Sequence, residues 1–377
     1  MREGPRILMV AGEASGDAQA ARLAAAMLDA RPQAYIYGIG GEAMRRAGVH
    51  TTVDISELSV MGIVEVVGAL GRIRRCYRML KAELRSERPP DLLVLVDFPD
   101  FNMPLARVAK RAGVKVLYYV SPQVWAWRRG RIGKLSKRVD RMIALFPFEV
   151  ELYRSHGLDT HFVGHPLAED VCATRSGVQT RALHGLPADA LVVTLMPGSR
   201  SREIKQMLPL MLDAVRGLDS KVGLALARAP GLDPALLEGL VADSGLDIAI
   251  VGGDTYNLIA ASDVVSVTSG TATVECALLG TPMVVSYRMS PFSYAIARAL
   301  VRVPFVAMPN IILGREVVPE FVQSRATAVN LRRAINAYLE SADLRRAASE
   351  QLADIADVLV SKGAAGRAAG LAWEMVA

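Results

Sequence analysis

Cysteine is scarce. The 377 residues hold three, Cys76, Cys172 and Cys276, far apart and with no CxxC pair. That spacing argues against a disulfide framework and a cysteine-based zinc site, and it fits a reducing compartment. The five histidines, His50, His156, His161, His165 and His184, show no HExxH or similar ligand spacing. No Asp-x-Asp triplet occurs either, so no metal and no cofactor is expected. A diphosphate would instead be neutralised by arginine and helix dipoles. The chain has neither a GxGxxG fingerprint nor a GxxxxGK[ST] loop, which counts against a dinucleotide enzyme and a P-loop nucleotidase. No uninterrupted apolar run reaches ~18 residues, so no spanning helix is expected. The run 7–11 is too short for the core of a signal peptide and reads as a first strand. Low-complexity segments and short internal repeats are absent as well.

What is present suits two folded domains. The length exceeds one ordinary core, and 51% of the residues are hydrophobic. The net charge is +6 and the pI about 9.3, which favours anionic partners. Nucleic acid is not the expected one, because the arginines are not interleaved with RNP-type aromatics or a helix-turn-helix signature. Short apolar runs at 7–10, 34–39, 92–96, 114–120 and 142–145 alternate with helical stretches. The rhythm returns at 191–196, 222–227, 248–251, 264–268 and 283–287. Each half therefore reads as an α/β, doubly wound, Rossmann-like domain with a parallel sheet. The expected boundaries are 1–168 for the first domain, 169–187 for a polar linker and 188–340 for the second domain. Helices over 341–377 would pack back on the first domain or on a partner chain, which leaves a homodimer open. Two such halves imply a cleft, with ligands at the carboxyl ends of strands.

Several strand ends carry chemistry. Gly12-Glu13-Ala14-Ser15-Gly16-Asp17 joins the first strand to a helix. It is either a ligand-binding turn or a tight turn capped by Ser15 or Asp17. The run 92–96 ends in Asp97-Phe98-Pro99-Asp100-Phe101-Asn102. A carboxylate there can take a proton from an attacking hydroxyl. Asp97 directly follows the strand, while Asp100 or Asn102 could equally be a helix cap. Trp125 and Trp127, followed by Arg128 and Arg129, suit either sugar stacking or core packing. In the second half, Pro197-Gly198-Ser199-Arg200 opens a helix and makes an anion site. Ser269-Gly270-Thr271 does the same after a later strand, with Glu275 one turn further on to accept from a ribose diol. Asn310 sits within an apolar run, as a base or ribose contact or as a turn-forming amide.

These motifs occur in one order with Gly38-Ile39-Gly40-Gly41, Met61-Gly62-Ile63-Val64-Glu65-Val66, Ser121-Pro122-Gln123-Val124-Trp125-Ala126-Trp127, Gly164-His165-Pro166 and Pro309-Asn310. The set closely resembles the lipid-A-disaccharide synthase family, from about residue 7 to about residue 325. The resemblance implies a B-type glycosyltransferase (GT-B) fold and an inverting transferase. It implies UDP-2,3-diacylglucosamine as donor and 2,3-diacylglucosamine 1-phosphate as acceptor, giving a β(1→6) disaccharide phosphate and UDP. It implies Asp97 as general base, with Glu13 and Asp100 nearby as alternatives. Gly198, Ser199, Arg200, Ser269, Gly270, Thr271, Glu275 and Asn310 fall on the UDP side. Ser15, Asp17, Met61, Val66, Val67, Leu70, Arg72, Arg75, Trp125 and Trp127 fall on the acceptor and lipid side. A UDP-sugar 2-epimerase is the competing enzyme, and a non-catalytic membrane-binding module the competing non-enzymatic reading.

One stretch points to a bilayer. Ile63, Val66, Val67, Leu70, Ile73, Tyr77 and Leu80 fill a helical arc of roughly 140°, bordered by Arg72, Arg75, Arg78 and Lys81. An apolar face with a basic border suits an interfacial helix on an anionic membrane surface, and a core helix with a solvated edge fits the same pattern. Acyl chains keep their substrates in the membrane. The expectation is a cytoplasmic protein held peripherally on the inner face of the inner membrane.

Overall fold

Short apolar runs bounded by polar turns are what strands buried on both faces require. In the computed structural model each such run becomes a parallel strand. The structure describes residues 4–55, 66–122, 130, 132–290, 294 and 304–376, with the side chains of 14 and 66–70 outside the description. The chain divides into two units, Met1–Pro166 with Ser361–Ala377, and Leu167–Val360.

In the first unit, β1 (Arg6–Ala11), β2 (Tyr35–Gly40), β3 (His50–Asp54), β4 (Leu92–Val96), β5 (Lys115–Tyr119), β6 (Arg141–Ala144) and β7 (Asp159–Phe162) form one sheet. Their order is β3-β2-β1-β4-β5-β6-β7, and all pairings are parallel. In the second unit, β8 (Val192–Met196), β9 (Gly223–Arg228), β10 (Ala249–Gly252), β11 (Val264–Thr268), β12 (Met283–Tyr287) and β13 (Glu320–Val322) repeat the plan as β10-β9-β8-β11-β12-β13. Both sheets are doubly wound. The strand order reverses between β1 and β4 and again between β8 and β11, and ligands collect at such points.

Three strands lie outside the apolar runs read from the sequence: β3, β7 and β13. All three are edge strands with mostly half-buried or exposed residues. An edge strand covered on one face needs no continuous apolar run, so His50–Asp54 and Asp159–Phe162 read as polar.

The sheet of the first unit separates two cores. Leu8 and Val10 pack on one face, and Ile7, Met9 and Ala11 on the other. The second core is closed by the last helix, Ala364–Trp373, through Ala364, Ala368, Ala369, Ala372 and Trp373. The preceding helix, Ala342–Leu359, belongs to the other unit. The tail 341–377 is thus shared between the two units.

The polar stretch 169–187 is fastened to the second unit. Ser176 and Gln179 form a capping box on the helix Gly177–Leu183. Arg181 donates to the Ala261 carbonyl at 3.0 Å and to Asp263 at 2.9 Å. The Asn257 Oδ1 accepts from the Thr174 and Arg175 amides at 2.8 and 2.9 Å.

Candidate active site

The second unit holds a cavity of about 710 Å³ at the carboxyl ends of its strands. Gly198, Ser199 and Arg200 after β8, and Ser269, Gly270, Thr271 and Glu275 after β11, all line it. Gly198 has φ +117, and a Cβ there would stand 2.7 Å from the Glu203 carboxylate. The positive φ is what requires glycine here, since the Glu203 side chain could move aside. Glu203 accepts from the Ser199 amide at 3.3 Å and from the Arg200 guanidinium at 2.9 Å. The Arg200 side chain is 80% exposed, so this pair adds little stability and leaves the cation available to a ligand. The helix Ser201–Val215 begins here with no side-chain cap. Its first amides, Arg200 and the helix dipole converge on one side of the cavity, which suits an anion.

Glu275, which also lines the cavity, is half-buried, and burial pushes its carboxyl above the ordinary glutamate value. The Tyr256 hydroxyl donates to it at 3.4 Å. Tyr256 lies just after β10, in a segment organised by Asp254. Burial opposes the Asp254 charge, but hydrogen bonds from Asn257, His184 and Arg175 outweigh it and hold that carboxyl below the ordinary range. Tyr256, Asp254 and Asn257 line the cavity and were not singled out from the sequence. The available signal was their place behind β10, the strand-end rule applied to every strand.

Asn310 does not line the cavity. It is fully buried. Its Oδ1 accepts from the Val317 and Val318 amides at 2.7 and 3.0 Å, and its Nδ2 donates to the Val318 carbonyl at 2.9 Å and to Glu320 at 3.2 Å. All of its hydrogen-bonding capacity goes into bracing the approach to β13. The turn-forming amide is what the structure shows.

In the first unit Asp97 ends β4, at the β1/β4 reversal. Asp97 and Phe98 both have φ +46, a region that costs a non-glycine residue about 1–3 kcal/mol and persists only where the surroundings impose it. The Asp97 carboxyl is raised above the ordinary aspartate value, first by burial and then by the neighbouring Glu13 carboxylate, while the Phe98 amide works in the other direction. A half-buried carboxyl poised in this way is suited to take a proton. Glu13 is exposed at the N-cap of the helix Ala14–Ala30 and makes no capping bond, and Ser15 is exposed on its first turn. Asp100 is exposed on the first turn of the helix Pro99–Arg111.

Asp17 has a different task from the acceptor-side role read from the sequence. It is buried, and its carboxylate accepts from the Gly41, Ala43 and Met44 amides at 2.6, 2.9 and 3.3 Å. It pins the start of the helix Glu42–Arg46 to the helix Ala14–Ala30.

Met61, Trp125 and Trp127 lie outside the described residues. Val66, Val67 and Leu70 lie in the helix Val66–Glu83, but their side chains are outside the description. Over the described part of that helix Ile73, Tyr77 and Leu80 pack into the core. That part of the apolar arc is core-facing, because the sheet below needs cover. What the helix turns outward is Arg72, Arg74, Arg75 and Arg78. A groove of about 540 Å³ runs between it and the helix Pro99–Arg111, lined by Ile73, Arg74, Tyr77, Arg78, Asp100 and Phe101.

The family model for lipid-A-disaccharide synthetase matches residues 7–364. The chain belongs to that family. The lipid-A-disaccharide synthase of Geobacter metallireducens is 43% identical over 374 residues, covering 98% of this chain and 97% of the relative. Family membership makes the protein a glycosyltransferase of lipid A disaccharide synthesis. Among solved structures, Anabaena HepE in complex with UDP superposes with a TM-score of 0.60 at 15% identity, covering 98% of this chain and 99% of that one. A putative UDP-N-acetylglucosamine 2-epimerase from Listeria monocytogenes gives 0.61 at 13% identity, covering 97% and 94%. At such identities the likeness is one of fold, the two-Rossmann GT-B architecture, so the epimerase match carries no activity to a member of the lipid-A-disaccharide synthetase family.

Proposed function

We propose that the protein transfers 2,3-diacylglucosamine from its UDP derivative to the 6-hydroxyl of 2,3-diacylglucosamine 1-phosphate, with inversion. The observation that carries this reading is the Asp97 carboxyl, half-buried on its left-handed corner at the β1/β4 reversal. It takes the proton of the acceptor hydroxyl as the oxygen attacks the anomeric carbon on the face opposite UDP. UDP leaves with its diphosphate against Arg200 and the start of the helix Ser201–Val215, and Glu275 accepts from the ribose. The HepE complex, whose fold is shared, holds UDP, which supports assigning the 710 Å³ cavity to the donor. Mass spectrometry of the product from the two acylated glucosamines tests the reaction. A disaccharide phosphate is expected; UDP release without a disaccharide would favour an epimerase or hydrolase.

Arg200→Ala should weaken UDP binding by about 1.5–3 kcal/mol, the range for a hydrogen bond to a charged group. Unchanged affinity by calorimetry would remove Arg200 from the donor site.

The acceptor is an acylated phosphate, and the first unit's groove joins two arginines to Ile73, Tyr77 and Phe101, a surface suited to a lipid phosphate. No helix among the described residues is long and apolar enough to cross a membrane. Peripheral association with an anionic bilayer fits the outward row of arginines. Reversing Arg74 and Arg78 to glutamate should lower binding to anionic vesicles at least tenfold, at about 1 kcal/mol per basic residue. Binding that is insensitive to both changes would place the contact on another surface.

A further inference from the structure

The corner that carries Asp97 is held by its own carbonyl. That oxygen accepts from the Tyr118 hydroxyl at 2.6 Å and from the Asn102 amide at 2.7 Å. Tyr118 stands on β5 and Asn102 on the helix Pro99–Arg111, and both side chains are completely buried. One donor therefore comes from the neighbouring strand and the other from the helix that follows. Turning the Asp97–Phe98 peptide would break both bonds and release the left-handed corner that sets the direction of the Asp97 Cα–Cβ bond. Asn102 also reaches the Val96 carbonyl at 3.3 Å, so it spans the last residue of β4 and the first of the corner. The other side of the turn is wedged by the Phe98 ring. A Cβ on Gly12 would stand 2.3 Å from that ring, which also stacks on Phe101 at 5.4 Å.

Asn102 spends its amide unevenly. Its Oδ1 is buried and has no partner among the described residues. Asn310, a buried asparagine with a bracing role, uses both ends of its amide. A buried acceptor left unpaired is unfavourable, and packing alone gives no reason to keep it. The part of Asn102 that is used is the donor, and both of its bonds go to the carbonyls where β4 ends.

We infer that Asn102 and Tyr118 are positioning residues for the general base, clamping the Asp97 carbonyl so that the carboxylate meets the acceptor hydroxyl in one orientation. The inference rests on Asp97 being that base. Neither side chain reaches solvent, so neither touches substrate.

The test compares Tyr118→Phe and Asn102→Leu, alone and combined with Asp97→Asn. Tyr118→Phe keeps the ring and removes only the donor. Asn102→Leu keeps a similar volume and removes the unpaired acceptor together with the donor. Each should lower kcat by roughly ten- to a hundredfold, the scale of a small misplacement of a reacting group, with KM changed by less than about twofold. UDP affinity should be unchanged. The acid limb of kcat/KM should move to lower pH, because a relaxed corner admits water to the carboxylate and undoes the burial that raises it. In the Asp97→Asn background either change should lower kcat by less than about twofold further, since residues acting as a unit are not additive. A parental kcat in both single variants, or an equal loss with and without Asp97, overturns the inference while leaving the base in place. Near-normal turnover of Asp97→Asn itself overturns the base assignment and this inference with it. Should Tyr118→Phe fail to fold, Asn102→Leu carries the same comparison.

Discussion

Asp97→Asn is expected to lower kcat by about 10²–10⁴-fold, the usual contribution of a positioned proton acceptor, with little change in UDP affinity. The split follows from the fold. Asp97 stands at the end of β4 in the first unit, whereas the described lining of the cavity proposed for the donor belongs to the second. The pH dependence has a definite sign. The base must be ionised to act, so kcat/KM rises as pH passes the Asp97 value, which burial and Glu13 hold above the ordinary 3.8. Glu13→Gln removes the second of these causes and should shift the acid limb to lower pH. Stability moves the other way. A raised folded-state value means that the folded protein holds the proton more tightly, so stability is lost as pH rises from 3.8 through the raised value. Asparagine carries no such charge. At neutral pH the inactive variant should therefore melt no lower than the parent, the pattern of a residue kept for function at some cost in stability. A variant with near-normal turnover would shift the role to Asp100 or Glu13, and one that lost both activity and melting temperature would make Asp97 a structural residue.

Trp373→Ala is expected to destabilise the protein by about 3–5 kcal/mol, the range for truncating a buried aromatic. Trp373 is 5% exposed, in the core formed by β1, β2, β4 and the helix Ala14–Ala30. Its indole N–H donates to the Met27 carbonyl at 3.3 Å, and the Arg31 guanidinium lies 4.7 Å from its ring centroid. Removing the side chain opens a cavity, leaves the Met27 carbonyl without that donor and removes a cation–π contact. The rest of the helix is held by Arg367, which donates to the Val163 carbonyl at 2.6 Å, and by Arg141, which reaches the Leu371 carbonyl at 2.8 Å and Glu374 at 2.7 Å. Denaturant unfolding measures the effect. A loss under about 1 kcal/mol, typical of a surface site, would mean that the last helix is an appendage and not part of the first core.

The central strands and the strand-end motifs were legible because both are local. β4 is a five-residue apolar run and β8 one broken only by Thr194, both buried along their length, and no packing partner is needed to recognise such a run. Gly198, Ser199, Arg200, Ser269, Gly270, Thr271 and Glu275 lie at or just beyond strand ends, so one rule about parallel sheets was enough to place them around one cavity. The resemblance of the ordered motifs added the chemistry that the rule does not contain.

Tertiary structure decided what depends on partners in other elements of the fold. Asp17 and Asn310 look like site residues beside their motifs, yet their hydrogen bonds go to residues 41–44 and 317–320. Which unit each C-terminal helix joins depends on where an apolar face is left uncovered, and the composition of the tail is silent on that. Tyr77 and Leu80 follow the same helical spacing whether they face a bilayer or a sheet, so periodicity was ambiguous until the sheet was in place. The corner at Asp97 is the sharpest case. A left-handed backbone at two non-glycine residues is disfavoured locally, and it exists because Tyr118 and Asn102, from a strand and a helix that meet only in the folded chain, both bind its carbonyl. Sequence determined that a carboxylate would stand at the end of β4; the packing of its neighbours determined how it is aimed.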